Sequence, residues 1–187
     1  MPPTYFPNPS GRVIPGICRY TPCRSQTARP SHAASSCILV RSCWFRYGRP
    51  PTAPEILMLR QYRLALDATI LELPAGTRGW QEPWQECAQR ELREETGFRA
   101  AHFSHLGQIW PAPGLTDEVM HLVLAQDLTA DPLPGDVDET IEVIPMPLSE
   151  LIEMAQDGRL QDAKSVVALW RTAVYIQHTP LIQFDKE

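Results

Sequence analysis

The sequence predicts an α/β fold in which a mixed β-sheet lies between packed helices. Segments 55–63 and 68–73 are rich in branched and long apolar residues and are bounded by turn formers, which is typical of strands. Residues 84–96 form one charged helical pattern between strand-like segments, and two further helical patterns follow near the C-terminus. With 187 residues, the chain is long enough for one well-buried domain and too short for two ordinary ones.

The N-terminal segment, residues 1–36, differs in composition from the rest. It holds seven prolines, no acidic residue and little periodic apolar pattern, so we expect it to be largely disordered. Two explanations stay open: a basic leader of the organelle-transit kind, or an upstream extension of the gene model, which the prolines and cysteines slightly favour. We therefore expect the folded domain to span residues 37–187.

The charges divide unevenly along the chain. Residues 1–54 carry seven arginines and no acid, whereas the remainder has ten Lys and Arg against 22 Asp and Glu. An acidic body argues against nucleic acid as a partner and suits a protein that gathers divalent cations. Because no apolar run approaches the roughly 18 residues that a membrane span needs, we expect no membrane partner. The expected location is the cytoplasm, or an organelle if the leader is genuine.

The strands are predicted in the following order. Residues 37–45 suggest a first strand, and segments 55–63 and 68–73 suggest two antiparallel neighbours, the second of which stops at Pro74-Ala75-Gly76. Residues 101–110 and 118–127 predict two strands around a Pro- and Gly-containing loop. An acidic linker at 128–138 separates them from a last strand at 140–145.

Three helices are predicted, each from its end signals. The first runs from about Trp84 to Thr96, with Pro83 in its first turn and Gly97 as its C-terminal cap. Ser149 is a suitable N-cap for a short helix that ends near Gly158. Asp162 can cap a last helix that reaches about residue 177. Its expected buried face comprises Val166, Val167, Leu169, Trp170 and Val174.

Three glutamates of the first helix point to a metal site. A helical residue advances by about 100°, so Glu91, Glu94 and Glu95 lie within an arc of about 100°. Carboxylates that close repel one another unless a cation lies among them. Hard oxygen ligands suit Mg²⁺, with Mn²⁺ as the alternative. A charged helix face is more often merely solvated, so the glutamates alone would not carry this prediction.

The spacing around these glutamates resembles the signature of the Nudix hydrolases. Gly76 is followed by five residues, Glu82, seven residues and then the run RELREETGF, residues 90–98. Seven fixed identities would match by chance less than about once in ten million windows, which decides against the solvated-face interpretation. The resemblance implies a Nudix α/β/α sandwich with a mixed sheet between helices. It also implies an ion pair between Glu82 and Arg90 that fixes the loop on the helix, and places Gly97 within the signature.

Within that family, the metal shell is implied to comprise Glu91, Glu94, Glu95 and the backbone carbonyl of Ala75. Further segments outside the signature resemble the ADP-ribose pyrophosphatase branch. They are LRQYR (59–63), ELPAG (72–76), PAPGLTDE (111–118), DETIEV (138–143) and DGRLQDAKSVVAL (157–169).

The branch resemblance implies roles for residues outside the signature. Arg63 is implied to contact the substrate's phosphates or terminal ribose, and Pro113 marks a preference for ADP-ribose. Glu139 is implied to be the general base on a loop, with Asp138 and Glu142 as substitutes and Glu94 assisting. Each has a simpler interpretation as a surface ion pair, a turn residue or a solvated acid.

The expected reaction is hydrolysis of ADP-ribose, or a related nucleoside diphosphate sugar, into AMP and a sugar phosphate with Mg²⁺. One alternative is a Nudix hydrolase acting on another nucleotide sugar or a dinucleotide, and a second is a non-catalytic module that binds ADP-ribose. Trp84 and Trp170 are expected in the core, whereas Trp110 is placed to lie against the adenine. The resembled enzymes are usually dimers, so a second copy is an expected partner if residues 1–50 form the shared sheet.

Overall fold

The computed structural model describes residues 35–41, 54–135 and 140–178, and these residues form seven strands and three helices. The strands are β1 (Ser35–Arg41), β2 (Glu55–Arg63), β3 (Ala68–Glu72), β4 (Ala75–Thr77), β5 (Phe98–Ile109), β6 (Val119–Ala130) and β7 (Ile141–Pro147). The helices are α1 (Trp84–Thr96), α2 (Leu148–Asp157) and α3 (Ala163–His178).

The strands divide between two sheets. The first is mixed, in the order β4-β1-β6-β5, with β1 antiparallel to β4 and parallel to β6. The second is antiparallel, in the order β3-β2-β7. The predicted fold class, a mixed sheet with helices on its faces, is confirmed, as is the antiparallel pairing of the segments at 55–63 and 68–73. The division into two sheets was not expected.

Strand β6 is buried on both faces of the mixed sheet. Its side chains alternate between faces, so Leu122 and Leu124 enter one core while Val123 and Ala125 enter the other. Helix α1 covers the second face with its buried residues Cys87, Ala88 and Leu92. Burial of these residues holds α1 against the mixed sheet.

The opposite face of the mixed sheet packs on a larger core. Leu122 and Leu124 cluster there with side chains from the second sheet and from the two C-terminal helices. The fully buried contributors from those elements include Ile56, Met58, Leu151 and Leu169. This core joins the two sheets to α2 and α3, so the mixed sheet lies between α1 and the remaining layer.

The bounds predicted for α1 are confirmed. Pro83 occupies the N-cap position with φ −60°, immediately before the first helical residue. Gly97 caps the C-terminus in the left-handed conformation, with φ 77°, and its N–H donates to the Arg93 carbonyl at 3.1 Å. Such a φ is accessible to glycine without the strain that a Cβ introduces.

The segment after β3 differs from expectation. Ala75 and Gly76 were expected to end a strand, but the chain leaves the second sheet after Glu72 and forms β4, which pairs with β1 in the mixed sheet. Pro74 has no N–H to continue the β3 ladder, so the chain is released there and pairs again elsewhere. Strand β1 begins at Ser35, two residues before the predicted start, and residues 42–45 lie outside the described part of the chain.

Two predictions for the C-terminal helices are wrong in detail. Helix α2 begins at Leu148, so Ser149 lies inside it and the N-cap is Pro147.

On α3, Trp170 and Val174 are exposed, whereas Ser165 and Thr172 are buried. Both hydroxyls can be buried because each donates a hydrogen bond, Ser165 to the Asp162 carboxylate and Thr172 to the Ala168 carbonyl. The predicted N-cap Asp162 is confirmed by its 3.1 Å bond from the Ser165 N–H.

None of the helices in the described segments is long and apolar enough to cross a bilayer. The longest, α3, has 16 residues.

Replacing Gly97 by alanine tests the cap of α1. We expect Gly97→Ala to lower the free energy of unfolding by about 1 kcal/mol, because the new Cβ must adopt a left-handed φ. The position has space for a Cβ, since its nearest neighbour would be Pro132 Cβ at 3.7 Å. Urea unfolding measures the change. Gly114→Ala is the matched control: it has no positive φ and no atom within 4 Å of a built Cβ. Equal losses in both variants would contradict the cap.

Candidate functional site

The junction between β4 and α1 brings backbone and carboxylates into close contact. Gly76 lies directly against the Glu91 side chain, and a Cβ built on Gly76 would overlap the Glu91 carboxylate. The glycine is required by this close approach and not by its backbone angle, because its φ is not positive. The position of Glu91 in the structure therefore depends on the absence of a side chain at residue 76.

Glu95 contacts the same strand at Ala75, the residue before Gly76. The Ala75 N–H donates to Glu95 Oε2 at 3.0 Å. Since Glu91 and Glu95 are four residues apart on α1, their side chains leave the same face of the helix. Two of the three predicted metal ligands therefore lie beside the backbone of Ala75 and Gly76.

Arg90 is the cation that holds the acidic side chains together. Its Nε donates to Glu82 Oε1 at 3.1 Å, while its Nη1 donates to Glu91 Oε1 at 2.6 Å and to Glu94 Oε2 at 2.9 Å. Its Nη2 also donates to the Thr77 carbonyl at 3.2 Å. The pKa of Arg90 is raised, chiefly by its hydrogen bond to Glu82, so the guanidinium stays charged.

Glu82 fixes the loop between β4 and α1. Both of its carboxylate oxygens accept from Arg90, Oε1 from Nε at 3.1 Å and Oε2 from Nη2 at 3.2 Å. Oε2 also accepts the Gly79 N–H at 2.6 Å. The Arg90 hydrogen bond, with a smaller contribution from the Gly79 N–H, holds the pKa of Glu82 below its usual range. The Arg78 side chain also donates to the Glu82 carbonyl. The ion pair expected between Glu82 and Arg90 is therefore present.

The site carries an excess of negative charge. Arg90 contacts three carboxylates, which leaves two negative charges uncompensated when all three are ionised, and Glu95 adds a further carboxylate. Burial raises the pKa of Glu91, while its ion pair with Arg90 acts in the opposite direction. A buried carboxylate in an anionic cluster is stabilised by an additional cation.

The three predicted ligands do not converge on one point in the structure. Among residues 54–135 and 140–178, no three His, Cys, Asp or Glu side chains are grouped as a metal site. The reason is that Arg90 draws the Glu91 and Glu94 carboxylates to itself, while Glu95 bonds to Ala75. The donor set still fits a hard divalent cation, because carboxylates and nearby backbone carbonyls supply only oxygen ligands.

The sequence that forms this site matches the model of a known protein family. Residues 46–169, well over half of the chain, match the model of the NUDIX domain. The chain belongs to the Nudix family. Members of this family generally need divalent metals, which agrees with the oxygen donors at the β4–α1 junction.

Relatives of known name share about a third of their residues with this Nudix chain. The ADP-ribose pyrophosphatase of Bacillus subtilis is 32% identical over 134 residues, which cover 71% of this chain and 70% of the relative. The GDP-mannose pyrophosphatase of Yersinia enterocolitica is 33% identical over 132 residues, covering 66% and 68%. A crystal structure of an ADP compounds hydrolase superposes with a TM-score of 0.68 at 26% identity, covering 80% of this chain and 75% of the other.

The residues predicted outside the Nudix signature are spread over several elements. Arg63, at the end of β2, pairs with Glu72 through Nε at 2.8 Å and Nη2 at 2.7 Å. Pro113 lies in an exposed turn in which the Leu115 N–H donates to the Ala112 carbonyl, and the neighbouring Trp110 is 70% exposed.

The predicted bases fall partly beyond what the structure describes. Glu139 and Asp138 lie outside the described residues. The other candidate, Glu142 on β7, forms an exposed ion pair with Arg60 at 2.9 Å. The roles of all these residues remain predictions.

The charged residues that hold Arg63 are a feature of the structure that the sequence did not predict. Glu72 is only 1% exposed, and its second oxygen accepts from Lys164 Nζ at 2.6 Å. Both residues lie in segments that resemble the ADP-ribose pyrophosphatase branch, but the resemblance implies no role for either. The available signal was a charged residue at the end of an apolar strand, where an unpaired charge would cost several kcal/mol.

Glu82 gives a test that depends on pH. Its folded-state pKa is lowered, so its contribution to stability is present above the unfolded-state pKa and is lost as the pH falls through the folded-state value. We expect Glu82→Gln to lower the free energy of unfolding by about 1 to 2 kcal/mol at pH 7. The difference between the two proteins should then shrink as the pH falls through the folded-state pKa of Glu82, which lies below its usual range. Urea unfolding across pH 3 to 7 measures the difference. A difference that is independent of pH would contradict the Arg90–Glu82 pair as its source.

Proposed function

We propose that this Nudix protein is a pyrophosphohydrolase that uses Mg²⁺ to cleave the diphosphate bond of ADP-ribose or a related nucleoside diphosphate sugar. The products would be AMP, or the corresponding nucleoside monophosphate, and a sugar phosphate. The names of the relatives support this class of substrate. The reaction adds one water across a phosphorus–oxygen–phosphorus bridge and needs no oxidant or second substrate.

One observation carries the proposal. Glu91 and Glu95 approach the backbone of Ala75 and Gly76 from α1, beside the guanidinium of Arg90. In this arrangement Glu91, Glu95 and the Ala75 carbonyl would hold the cation, with Glu94 assisting. A bound divalent cation supplies neutralisation of the phosphate oxygens and a more acidic water. Arg90 and Glu82 keep the loop and helix in the required register.

The remaining residues bind the substrate and move the proton. Arg63 would contact the phosphates or the terminal ribose, and the exposed turn at Pro113 would border the adenosine, with Trp110 available to stack on the base. Glu139 would accept the proton of the attacking water as the water oxygen bonds to phosphorus and the bridging bond breaks. Asp138 and Glu142 are the alternatives for this role.

GDP-mannose is the second candidate substrate. The relative with that name matches this chain at 33% identity, compared with 32% for the ADP-ribose pyrophosphatase. These identities are too similar to choose between the two. The choice rests on the PAPGLTDE segment and its Pro113, which favour ADP-ribose by resemblance.

A coupled measurement of products tests the reaction and the substrate. We expect purified protein with Mg²⁺ to release AMP from ADP-ribose with a higher kcat/KM than it releases GMP from GDP-mannose. Chelation with EDTA should abolish turnover, and added Mg²⁺ should restore it. Faster hydrolysis of GDP-mannose would show that GDP-mannose, and not ADP-ribose, is the preferred substrate. Binding of ADP-ribose without any product would indicate a non-catalytic module.

The metal-holding role of Glu95 is tested in the same assay. We expect Glu95→Gln to reduce kcat by at least about a hundredfold, because a carboxylate ligand becomes a neutral amide. Glu86→Gln is the matched control: Glu86 lies in the first turn of the same helix and is exposed. Its kcat should remain within about twofold of the wild type. Full activity in Glu95→Gln would show that Glu95 is not a metal ligand.

The choice of base is tested by comparing three variants. We expect Glu139→Gln to lower kcat by roughly a hundredfold with little change in KM, and to remove the acidic limb of the pH–rate profile. Asp138→Asn and Glu142→Gln should each retain kcat within a few-fold. If Glu142→Gln instead has the large effect, the base lies on β7 and its ion pair with Arg60 must open during turnover.

A further inference from the structure

A second cluster of charges lies at the other end of the β3–β4 segment, centred on Glu72. The carboxylate of Glu72 is 1% exposed and contacts two cations, one through each oxygen. Oε1 accepts from Arg63, and Oε2 accepts from Lys164 Nζ at 2.6 Å. A carboxylate buried this deeply needs both its charge and its lone pairs satisfied, and here both conditions are met.

The cluster continues into the first turn of α3. Lys164 Nζ also donates to Asp162 Oδ2 at 2.9 Å, and the same carboxylate accepts the Ser165 N–H at 3.1 Å. Ser165 Oγ in turn accepts the Leu73 N–H at 2.8 Å, from the residue that follows Glu72. The start of α3 is thereby tied to the end of β3, which leaves Glu72 little freedom to move.

The two cations of the cluster differ in exposure. The Lys164 side chain is 13% exposed and lies inside the protein, whereas that of Arg63 is 39% exposed. The Arg63 side chain is thus partly accessible to solvent although its Nε and Nη2 donate to a fixed carboxylate. Lys164 is less accessible, so Arg63 is the more exposed of the two cations.

The cluster is close to the candidate metal site. Glu72 precedes Ala75 by three residues, and three residues span at most about 10 Å of chain. The Ala75 N–H is the donor to Glu95. Glu72, which holds Arg63, and the Ala75 backbone that Glu95 contacts therefore belong to one short segment of the chain.

Stability alone does not account for a buried carboxylate at this position. Apolar side chains of similar volume often stabilise a protein core as well as a buried ion pair does, or better. An arginine that must bind a phosphate gains from being held in its bound geometry, because less side-chain entropy is lost when the ligand binds. A planar guanidinium held along one edge also keeps its orientation toward an anion.

We infer that Glu72 is a positioning residue, which orients Arg63 toward the diphosphate of the substrate and is itself held by Lys164 and the first turn of α3. This inference rests on the proposed function, since it takes Arg63 as a substrate contact. It assigns to Glu72 an effect on substrate affinity that acts entirely through Arg63.

A double-mutant cycle tests this dependence. Steady-state kinetics on ADP-ribose are measured for wild type, Glu72→Gln, Arg63→Gln and the double variant. We expect Glu72→Gln to raise KM about tenfold with kcat within about twofold, and Arg63→Gln to raise KM at least as much. In the Arg63→Gln background, the further change Glu72→Gln should alter KM by less than about twofold. Effects on KM that multiply, or an unchanged KM in Glu72→Gln, would overturn the inference.

Thr172→Ala separates positioning from stability. Thr172 is fully buried on α3 and donates to the Ala168 carbonyl, so it lies outside the cluster around Glu72. We expect Thr172→Ala to lower the midpoint of thermal unfolding, as Glu72→Gln does, while KM stays within about twofold. A KM rise in Thr172→Ala that follows the loss of stability would make the KM rise in Glu72→Gln a consequence of lost stability and would overturn the inference. If Glu72→Gln does not fold, Glu72→Asp keeps the charge but withdraws it by one methylene, and the same rise in KM is expected.

Different experimental outcomes would contradict the role of Glu72 and the proposed function. If wild type cleaves ADP-ribose but the cycle is additive, only the role of Glu72 fails. If wild type binds ADP-ribose without cleaving it, the proposed hydrolysis fails, and titration calorimetry with ADP-ribose gives the same cycle from dissociation constants. Protein that neither binds nor cleaves ADP-ribose or GDP-mannose would overturn both.

Discussion

The guanidinium of Arg90 is the interaction on which the rest of the site depends. It bonds to Glu82 in the loop, to Glu91 and Glu94 on its own helix, and to the carbonyl of Thr77 at the end of β4. A guanidinium has five N–H donors in a planar fork and here reaches four residues, whereas a lysine ammonium has only three donors. Loop, strand and helix are therefore joined at one point, and the close approach of Glu91 to Gly76 follows from that junction.

The layers of the fold explain why α1 can carry so much charge. Its apolar residues pack on Val123 and Ala125 of β6, so burial holds the helix on the sheet, and the contacts of Arg90 then fix the loop and β4 to it. The opposite face is left to the glutamates, whose repulsion would destabilise an isolated helix. The packing of α1 on the sheet thus supports an anionic cluster that the helix alone would not favour.

The two charge clusters of this Nudix protein differ in net charge. Around Arg90, carboxylates exceed cations, which suits the recruitment of a divalent ion. Around Glu72, two carboxylates and two cations are balanced, and one cation faces solvent. The short segment from Glu72 to Gly76 joins the two clusters. A diphosphate would then meet bound positive charge at one end of this segment and a fixed guanidinium at the other.

Much of the local structure could be predicted because it depends on neighbours in the chain. The bounds of α1 follow from Pro83 and Gly97, and the ion pair between Glu82 and Arg90 follows from the Nudix spacing. The exposure of Trp170 could not be predicted, because helical periodicity does not show that the buried positions Ser165 and Thr172 have their hydroxyls satisfied. The strand β4 also escaped prediction, since three residues carry no periodic signal and their partner, β1, is about forty residues away.

The sequence by itself determined the family, the helix that presents the glutamates and the acidic excess of the domain. These features depend on residue identity at short spacing, which the chain carries whatever its tertiary structure. Only the tertiary structure decided which carboxylates share Arg90. It also decided that Glu72 joins Arg63 to Lys164, which lies 92 residues after Glu72 in the sequence. Contacts of that kind arise from how the sheets and α3 pack together, and no local pattern encodes a contact between side chains so distant along the chain.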